Sequence, residues 1–572
     1  MYIKSITEIN NYRNLSGKTI GFDRDVNFLI GENNIGKTNV LELINIIFNV
    51  GKFKETDFNN VLDEIKIRIE ICYEDAEIGF FEDNFDVDSS NTISIIAIQE
   101  IADGKIEYYH DTPNFNQISA SVIKKLNVLY YYAQRMPSKE VDFRKTNGSG
   151  KVLNYLIQHS LENAGIEEKD VVKKTKINQI IKDINKQIYS INNITGDNVS
   201  AYVDSDINSI ICRMLELGDE NGRDLSSLGE GIQYAFNIIL QIIEIIHSNK
   251  IIRKPEDFED RLVVIDGKKL FPIFLILDEP EIHQHPYRQR NLMKKINALL
   301  KNDNEDFILL LRELFGVDGL IGQIFIATHS PNILLNNYRQ FIRIFHDESG
   351  TGINIVSGSN IMLNDTLYKH LLRSFVYLRE AMFSKCVLFV EGDTENGAMP
   401  IFGNRMGLDY DENGIGIIKL DGADSVENCM KLYDEFKIKT IAILDKDKKA
   451  TYKHLSNVYF TKGMDFEEDI YDNFCLIDYL RYNVGVNKIG AFIGVLRPYG
   501  IRLDVPSFIN DPVTLVIDEN LQNQIKQDIK ENELSVLRAT KNASKGALLA
   551  EYVTEIPKAF QRVIKKLKAE VN

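Results

Sequence analysis

The stretch Gly31-Glu-Asn-Asn-Ile-Gly36-Lys37-Thr38 constrains this chain more than any other, because it fits G-x-x-x-x-G-K-[ST] in the context that gives the spacing meaning. A short apolar run, Asp25–Ile30, stops at Gly31. A helical pattern follows from Lys37, with Val40, Leu41, Leu43, Ile44 and Ile47 on its apolar face. Strand, glycine turn and helix in that order predict an α/β unit. Glycines at such a turn let backbone N–H groups wrap phosphate oxygens, and the helix N-terminus adds partial positive charge. Lys37 is placed to neutralise the outer phosphates and Thr38 to ligate Mg²⁺. Gly31, Asn34, Gly36, Lys37 and Thr38 are therefore the expected nucleotide-binding residues, with ATP as the ligand.

A second element matches the first. Phe271-Pro-Ile-Phe-Leu-Ile-Leu277 is an apolar strand that ends in Asp278 and Glu279. Beside a phosphate loop, Asp278 is expected to hold Mg²⁺ and Glu279 to polarise the attacking water. Further strands are expected at 64–74, 93–110 and Gln323–Ala327, and a helix at Tyr287–Lys301. Between about 151 and 218 glycine and proline nearly vanish while Lys, Asn, Ile and Glu recur at helical spacing, which predicts a helical insertion.

After about Arg373 the sequence restarts. Lys385–Val390, Gly416–Leu420 and Thr440–Leu444 read as buried strands with helical stretches between them, a second parallel α/β unit. The first of these strands runs into Glu391-Gly-Asp-Thr-Glu395 and the last into Asp445-Lys-Asp447. Strand alternation would set Asp445 and Asp447 on one side. Strand ends of a parallel sheet face one crevice, so Glu391, Asp445 and Asp447 are expected to share one or two Mg²⁺ or Mn²⁺ ions. Such hard-oxygen clusters serve phosphodiester chemistry.

The chain has 572 residues with a net charge of −16, which argues against non-specific nucleic-acid coating by bulk charge but leaves metal-bridged contact open. Its five cysteines form no Cys-x-x-Cys pair, so neither a disulfide framework nor a zinc site of usual spacing is expected. The N-terminal decapeptide alternates like a strand and lacks the features of a signal peptide. The longest apolar runs are strand-length, well under the roughly 20 residues of a membrane span. A cytoplasmic protein without membrane contact is the expectation.

Three further segments resemble those of ABC-type ATPases. Leu225-Ser-Ser227-Leu-Gly229-Glu-Gly-Ile-Gln233 is similar to the signature loop, and Ala327-Thr-His329-Ser-Pro331 to the switch-histidine segment. Pro280-Glu281-Ile-His283-Gln-His285-Pro286 follows the acids; a metal-binding reading of its histidines stands beside a purely conformational one. The resemblance implies that Ser227 and Gly229 contact the γ-phosphate bound by an opposing subunit and that His329 senses it. It therefore implies a head-to-head pair of ATPase units, in a homodimer or tetramer or with a partner protein, with the helical insertion as a dimerisation arm.

The second half resembles the Toprim domain, including the intermediate strand end Lys419-Leu-Asp421-Gly422. An ABC-type ATPase followed by a Toprim domain resembles the OLD (overcoming lysogenisation defect) nucleases, and the length is similar to that of the nuclease subunit of the Gabija anti-phage defence system, which belongs to that group. The resemblance implies an ATPase domain at 1–372 and a Toprim nuclease domain with a C-terminal helical extension at 384–572. It implies Glu395 as a further metal ligand, with another from Gly463-Met-Asp465-Phe-Glu467-Glu468; Glu467 is the assignment and Glu468 the alternative. It adds Lys545 as the lysine that stabilises charge on the scissile phosphate, and Arg13 and Arg135 as further family marks, Arg13 on the nucleotide side.

The implied activity is ATP-regulated, metal-dependent cleavage of duplex DNA in anti-phage defence, with a helicase-like protein as a possible partner. The alternative is a nucleotide-dependent sensor or scaffold whose Toprim domain is inactive or works through a partner; a Toprim primase or topoisomerase is weaker. Basic residues at Lys124 and Lys125, and at Arg562, Lys565, Lys566 and Lys568, read equally as solvated helix faces.

Overall fold

The computed structural model describes the chain except for residues 81–90, 134–139, 166–180, 183, 186–199, 201–206, 219–229, 283, 348, 364–377, 421–424 and 572. It divides into two units. One comprises Met1–Leu29, Asn33–Ile333 and Gln340–Ile355; the other comprises Val356–Asn572 with the short stretches Ile30–Glu32 and Leu334–Arg339.

The first unit contains two sheets. Strands β1 (Tyr2–Asn10), β2 (Ile20–Gly21), β4 (Ile65–Cys72), β5 (Thr92–Gln99), β6 (Glu107–His110) and β7 (Gln117–Ile118) form a six-stranded antiparallel sheet in the order β2-β1-β4-β5-β6-β7. In β4, IKIRIEIC alternates buried and half-exposed residues along its length, as a sheet with one wet face requires. The second sheet runs β13-β12-β3-β11-β10-β8, built from β3 (Val26–Ile30), β8 (Asn127–Tyr131), β10 (Lys268–Asp278), β11 (Gly319–Ala327), β12 (Phe341–His346) and β13 (Ile353–Ser357). β3, β11, β10 and β8 are mutually parallel. All five residues of β3 are buried, as in a strand covered on both faces, and its one polar member, Asn27, bonds through its side chain to the backbone of Asp23.

Pro272 lies inside β10, where a missing N–H is normally costly. The antiparallel partner β9 (Val263–Ile265) leaves at Leu270 and β8 joins only at Ile273, so Pro272 falls in the gap between them. Its carbonyl accepts from Asn127 Nδ2 at 2.9 Å.

Helix α1 (Lys37–Phe48) follows β3 directly and buries Val40, Leu41, Leu43, Ile44, Ile47 and Phe48 in the core shared with β1, β4 and β5. Of the anticipated helical insertion, α2 (Gly148–Ala164) and α3 (Ile207–Met214) are described, and most of what lies between is outside the described residues. Helix α4 (Glu230–Ile252) is, over Gln233–Ile252, long and apolar enough to cross a membrane by length and composition. It nevertheless packs on α2 and β8, and Asn237 and Gln241 are buried with hydrogen bonds to Tyr131, Glu140 and Ser149. The apolar content is thus that of a core helix. Helices α5 (Pro286–Leu300) and α6 (Glu305–Phe315) connect β10 to β11.

The second unit is a four-stranded parallel sheet, β15-β14-β16-β17, from β14 (Cys386–Val390), β15 (Ile415–Lys419), β16 (Lys439–Leu444) and β17 (Val458–Phe460). The short β17 had no sequence expectation. Helices α7 (Asp393–Arg405), α8 (Val426–Glu435) and α9 (Phe466–Asp472) follow β14, β15 and β17. Helices α10 (Leu476–Gly485), α11 (Glu519–Arg538), α12 (Ala543–Tyr552) and α13 (Lys558–Val571) extend the core, with Leu480, Leu537, Leu549, Phe560 and Leu567 among its buried residues. In α13, Phe560, Val563, Ile564 and Leu567 face inward while Lys566 pairs with Glu570, so its basic residues lie on the outer face of a docked helix.

Two glycines set how closely α7 and α12 pack. A Cβ on Gly397 would collide with the backbone of Ala543, and one on Gly546 with the backbone of Thr394. The helices therefore touch backbone to backbone, carrying Thr394 and Glu395 up to the start of α12.

Candidate functional site

In the first unit, the loop between β3 and α1 turns on left-handed conformations at Asn34 (φ 59°) and Gly36 (φ 113°), which caps α1. A Cβ at Gly36 would lie 2.6 Å from Asn14 Nδ2, which donates to Ile35 O at 2.9 Å. Glycine is required there for its backbone angle and for this close approach. Asn33, Asn34, Gly36, Lys37, Thr38 and Asn39, with Glu279 and His329, line a cavity of about 710 Å³. Lys37 is buried, whereas Asn34 is exposed.

Asp278 ends β10 opposite Ala327 of β11, and Thr38 Oγ1 donates to Asp278 Oδ2 at 3.5 Å. Burial, reinforced by the neighbouring Glu279 charge, pushes the Asp278 carboxyl up to about 6. Glu279 has φ 48°, a strained backbone for a residue with a side chain. The strain is held by its N–H, which donates to Ala327 O at 2.9 Å. Its Oε1 is 3.5 Å from His329 Nε2. Burial and Lys37 lower the His329 pKa, which favours the neutral ring.

One expectation changes. Arg13 does not line the cavity. Its Nη1 donates to Asn39 Oδ1 at 2.7 Å, Nη2 pairs with Asp57 Oδ1 at 2.7 Å and Nη1 also pairs with Glu42. It braces the start of α1 from behind. His285 caps α5 and stacks on Tyr287 with ring centroids 5.6 Å apart, in keeping with the conformational reading. Ser227, Gly229, Arg135, His283, Asp421 and Gly422 lie outside the described residues.

In the second unit, Glu391 follows β14 and Asp445 follows β16. The Asp445 N–H donates to Glu391 Oε2 at 3.0 Å. Glu395 sits in the first turn of α7, 6% exposed, and Glu467 in the first turn of α9, fully buried. Thr394 Oγ1 donates to Glu467 Oε1 at 3.3 Å. The side chains sense one another electrostatically. Burial, then the charge of Glu467, pushes the Glu395 carboxyl up to about 7 against the pull of Lys541. Burial, then Glu395 and Glu391, pushes Asp445 up to about 8.

Asp445 Oδ1 is buried without a hydrogen-bond partner. A buried, orphaned carboxylate oxygen among other carboxylates is stabilised by a cation, so the donor set fits a hard divalent metal. Among the described residues no three acids already stand in ligating geometry. Glu391, Glu395, Asp445 and Glu467 are the side chains that would hold the metal.

The two candidate glutamates lie in different surroundings. Glu468 accepts from Met464 N at 2.8 Å and pairs with Lys530 at 3.1 Å, pointing away, whereas Glu467 faces the cluster.

Asp447 departs from the reading. β16 ends at Leu444 and Lys446–Lys448 form a 3₁₀ turn, so strand alternation does not apply. Asp447 is exposed and pairs with Lys448 at 3.3 Å. Lys545 differs as well. Its ammonium donates to the carbonyls of Leu537 and, at 2.8 Å, Thr540. The lysine at the cluster is Lys541, whose Nζ is 3.2 Å from Glu467 Oε2. The sequence points instead to Lys545, in a segment expected to open a helix at Ala547, whereas the helix begins at Ala543. The sequence signal was Asn542, the N-cap of α12, which leaves Lys541 on the extended approach to the helix.

Family models match on both sides. An AAA ATPase domain matches residues 1–147 and 104–334, and the Toprim domain of overcoming lysogenization defect protein-like proteins matches residues 382–447. Among curated proteins, the DNA replication and repair protein RecF of Francisella tularensis subsp. novicida is 32% identical over 63 residues, 11% of this chain and 18% of the relative. Thus the chain spans under a fifth of the length of the relatives it matches.

Among solved structures, the C-terminal region of the Burkholderia pseudomallei OLD protein is 12% identical with a TM-score of 0.20, covering 33% of this chain and 100% of that one. The corresponding region of the Xanthomonas campestris pv. campestris OLD protein is 15% identical with a TM-score of 0.21, covering 33% and 97%. The SMC head domain from Thermotoga maritima is 12% identical with a TM-score of 0.27, covering 64% and 100%.

Proposed function

Because the chain belongs to the OLD family, an AAA ATPase domain joined to an OLD-like Toprim domain, we propose that it is a metal-dependent DNA endonuclease whose activity is governed by ATP. The carrying observation is that Glu391, Glu395, Asp445 and Glu467 lie close enough to feel one another's charge, with the Asp445 N–H bonded to Glu391 and the Lys541 ammonium on Glu467. Mg²⁺ or Mn²⁺ bound there would supply an activated water and charge stabilisation at the leaving oxygen. In this reading the four carboxylates hold the metal and Thr394 orients Glu467. Lys541 balances the acids and offers its ammonium to the scissile phosphate.

At the other site, Lys37 binds the outer phosphates, Thr38 and Asp278 take Mg²⁺, and Glu279 with His329 directs the water. Phosphodiester hydrolysis needs no ATP energy, which supports a regulatory role for the nucleotide. The function we assign is anti-phage defence, acting on duplex DNA as a homodimer or tetramer, with a helicase-like protein as partner.

The outward position of Asp447 is the observation that favours the second reading, a nucleotide-dependent sensor whose Toprim domain does not cut. Supercoiled plasmid incubated with Mg²⁺ or Mn²⁺, with and without ATP, decides between them. Metal-dependent cutting by the wild type that is lost in Glu391→Ala supports the nuclease. No cutting of plasmid, phage DNA or single strands in any condition supports the sensor.

A further inference from the structure

β10 and β11 are parallel neighbours, and each delivers one member of the hydrolytic pair: Glu279 just past β10, His329 just past β11. Two strand ends side by side do not by themselves keep two flexible turns in register. The structure shows what does. Glu281, 9% exposed, directs a single oxygen at the segment after β11. Its Oε1 accepts from Thr328 Oγ1 at 2.5 Å, from His329 N–H at 2.9 Å and from Ser330 N–H at 3.2 Å. Its Oε2 is buried with no partner.

A second bond reinforces the clasp. Gln289 of α5 donates from Nε2 to Gln284 O at 2.9 Å and accepts from Ser330 Oγ at 2.6 Å. An anion facing two consecutive amides and a hydroxyl makes charge-assisted bonds, roughly twice as strong as neutral ones. Burial raises the Glu281 carboxyl above its usual range, and the donors from Thr328 and His329 pull it back towards the charged form.

We infer that Glu281 is a positioning residue for ATP hydrolysis, clamping the backbone of His329 to the turn that carries Glu279 so that the two side chains meet in one cavity. The inference rests on the reading of Lys37, Glu279 and His329 as an ATP-hydrolysing site. Glu281 touches no reacting atom; it acts through His329.

The test uses the full chain and four variants: Glu281→Gln, Glu281→Asp, His329→Ala and the double variant Glu281→Gln with His329→Ala. The readouts are kcat and KM for ATP, affinity for a non-hydrolysable ATP analogue, and melting temperature. Glutamine keeps the shape and one acceptor oxygen while removing the charge, and it buries an amide without an acceptor.

The expected result for Glu281→Gln is a kcat lowered by roughly tenfold, with KM and analogue affinity within about twofold. Glu281→Asp keeps the charge and restores part of the loss. The double variant turns over no more slowly than His329→Ala alone, because the clamp acts only through that residue. A kcat for Glu281→Gln within about twofold of wild type overturns the inference. So does an analogue affinity that falls in step with kcat, the mark of a merely structural residue, or a double variant in which the two losses multiply. In all of these, an inactive Lys37→Ala leaves the site reading standing. If Lys37→Ala and Glu279→Gln hydrolyse ATP as fast as wild type, the site reading itself fails and the inference with it.

Discussion

At the scale of single residues, the two candidate sites draw on different side chains, and that gives the sharpest expectations. Lys37→Ala should abolish nucleotide binding, read with a fluorescent ATP analogue, while Mn²⁺ titration of the Toprim carboxylates stays as in wild type. Loss of both would sink the idea of two independent sites. Conversely, Asp445→Ala should stop plasmid cleavage and leave ATP turnover untouched. The two lysines part in kind. Lys541→Ala removes the ammonium 3.2 Å from Glu467 and should slow cleavage by about 10²-fold with little change in melting temperature. Lys545→Ala gives up bonds to the carbonyls of Leu537 and Thr540 and should act mainly on stability. A Lys545→Ala variant that folds as well as wild type but cannot cut would reverse the assignment.

Local spacing explains which of these residues were legible. Lys37, Thr38, Asp278 and Glu391 are fixed by the strand or glycine turn next to them, and those signals are contained within about ten residues of sequence. Strand periodicity does not reach Asp447, because β16 ends at Leu444 and the backbone then coils into a 3₁₀ turn. Glu467 and Glu468 are adjacent on a helix, and only Lys530 on α11 shows which of the two turns outward. Glu281 had no sequence role because its three donors come from a different strand end.

At the scale of elements, what places the second site is the crossing of α7 on α12. Gly397→Ala or Gly546→Ala would force the helix backbones apart. Either should cost about 2 kcal/mol or more of stability in the second unit, by denaturant titration, with nucleotide binding by the first unit unchanged. A variant as stable as wild type would mean the helices separate without cost and that the contact is incidental. Strands and helices with continuous or alternating apolar residues were legible to within a few positions: β10, β11, β14, β16 and α5 all fall where their periodicity puts them. The helix crossing was not, since nothing in a local sequence says that Gly397 meets Ala543, 146 positions further along the chain. Helix α4 shows the converse. Its composition passes for a membrane span, and only its buried Asn237 and Gln241, bonded to neighbours, identify it as core.

At the scale of the whole molecule, the ATPase resemblance makes one prediction about assembly. If Ser227 and Gly229 complete a nucleotide site on a second copy, Glu279→Gln, which binds ATP but hydrolyses it slowly, should shift towards a dimer when ATP is added. Light scattering behind size-exclusion chromatography reads this directly. Identical elution with and without ATP would remove the signature-loop assignment.

The place of α12 in the chain has a consequence for biosynthesis. All four acids, Glu391 to Glu467, leave the ribosome before Lys541 and the helix whose Gly546 lies against Thr394. During that interval the acids lack their neighbouring ammonium and the helix that seats α7, so the four-acid cluster gains its full surroundings only once α12 has been made. A fragment that stops short of Lys541 would carry the four acids with neither that ammonium nor the backbone of α12 against Thr394.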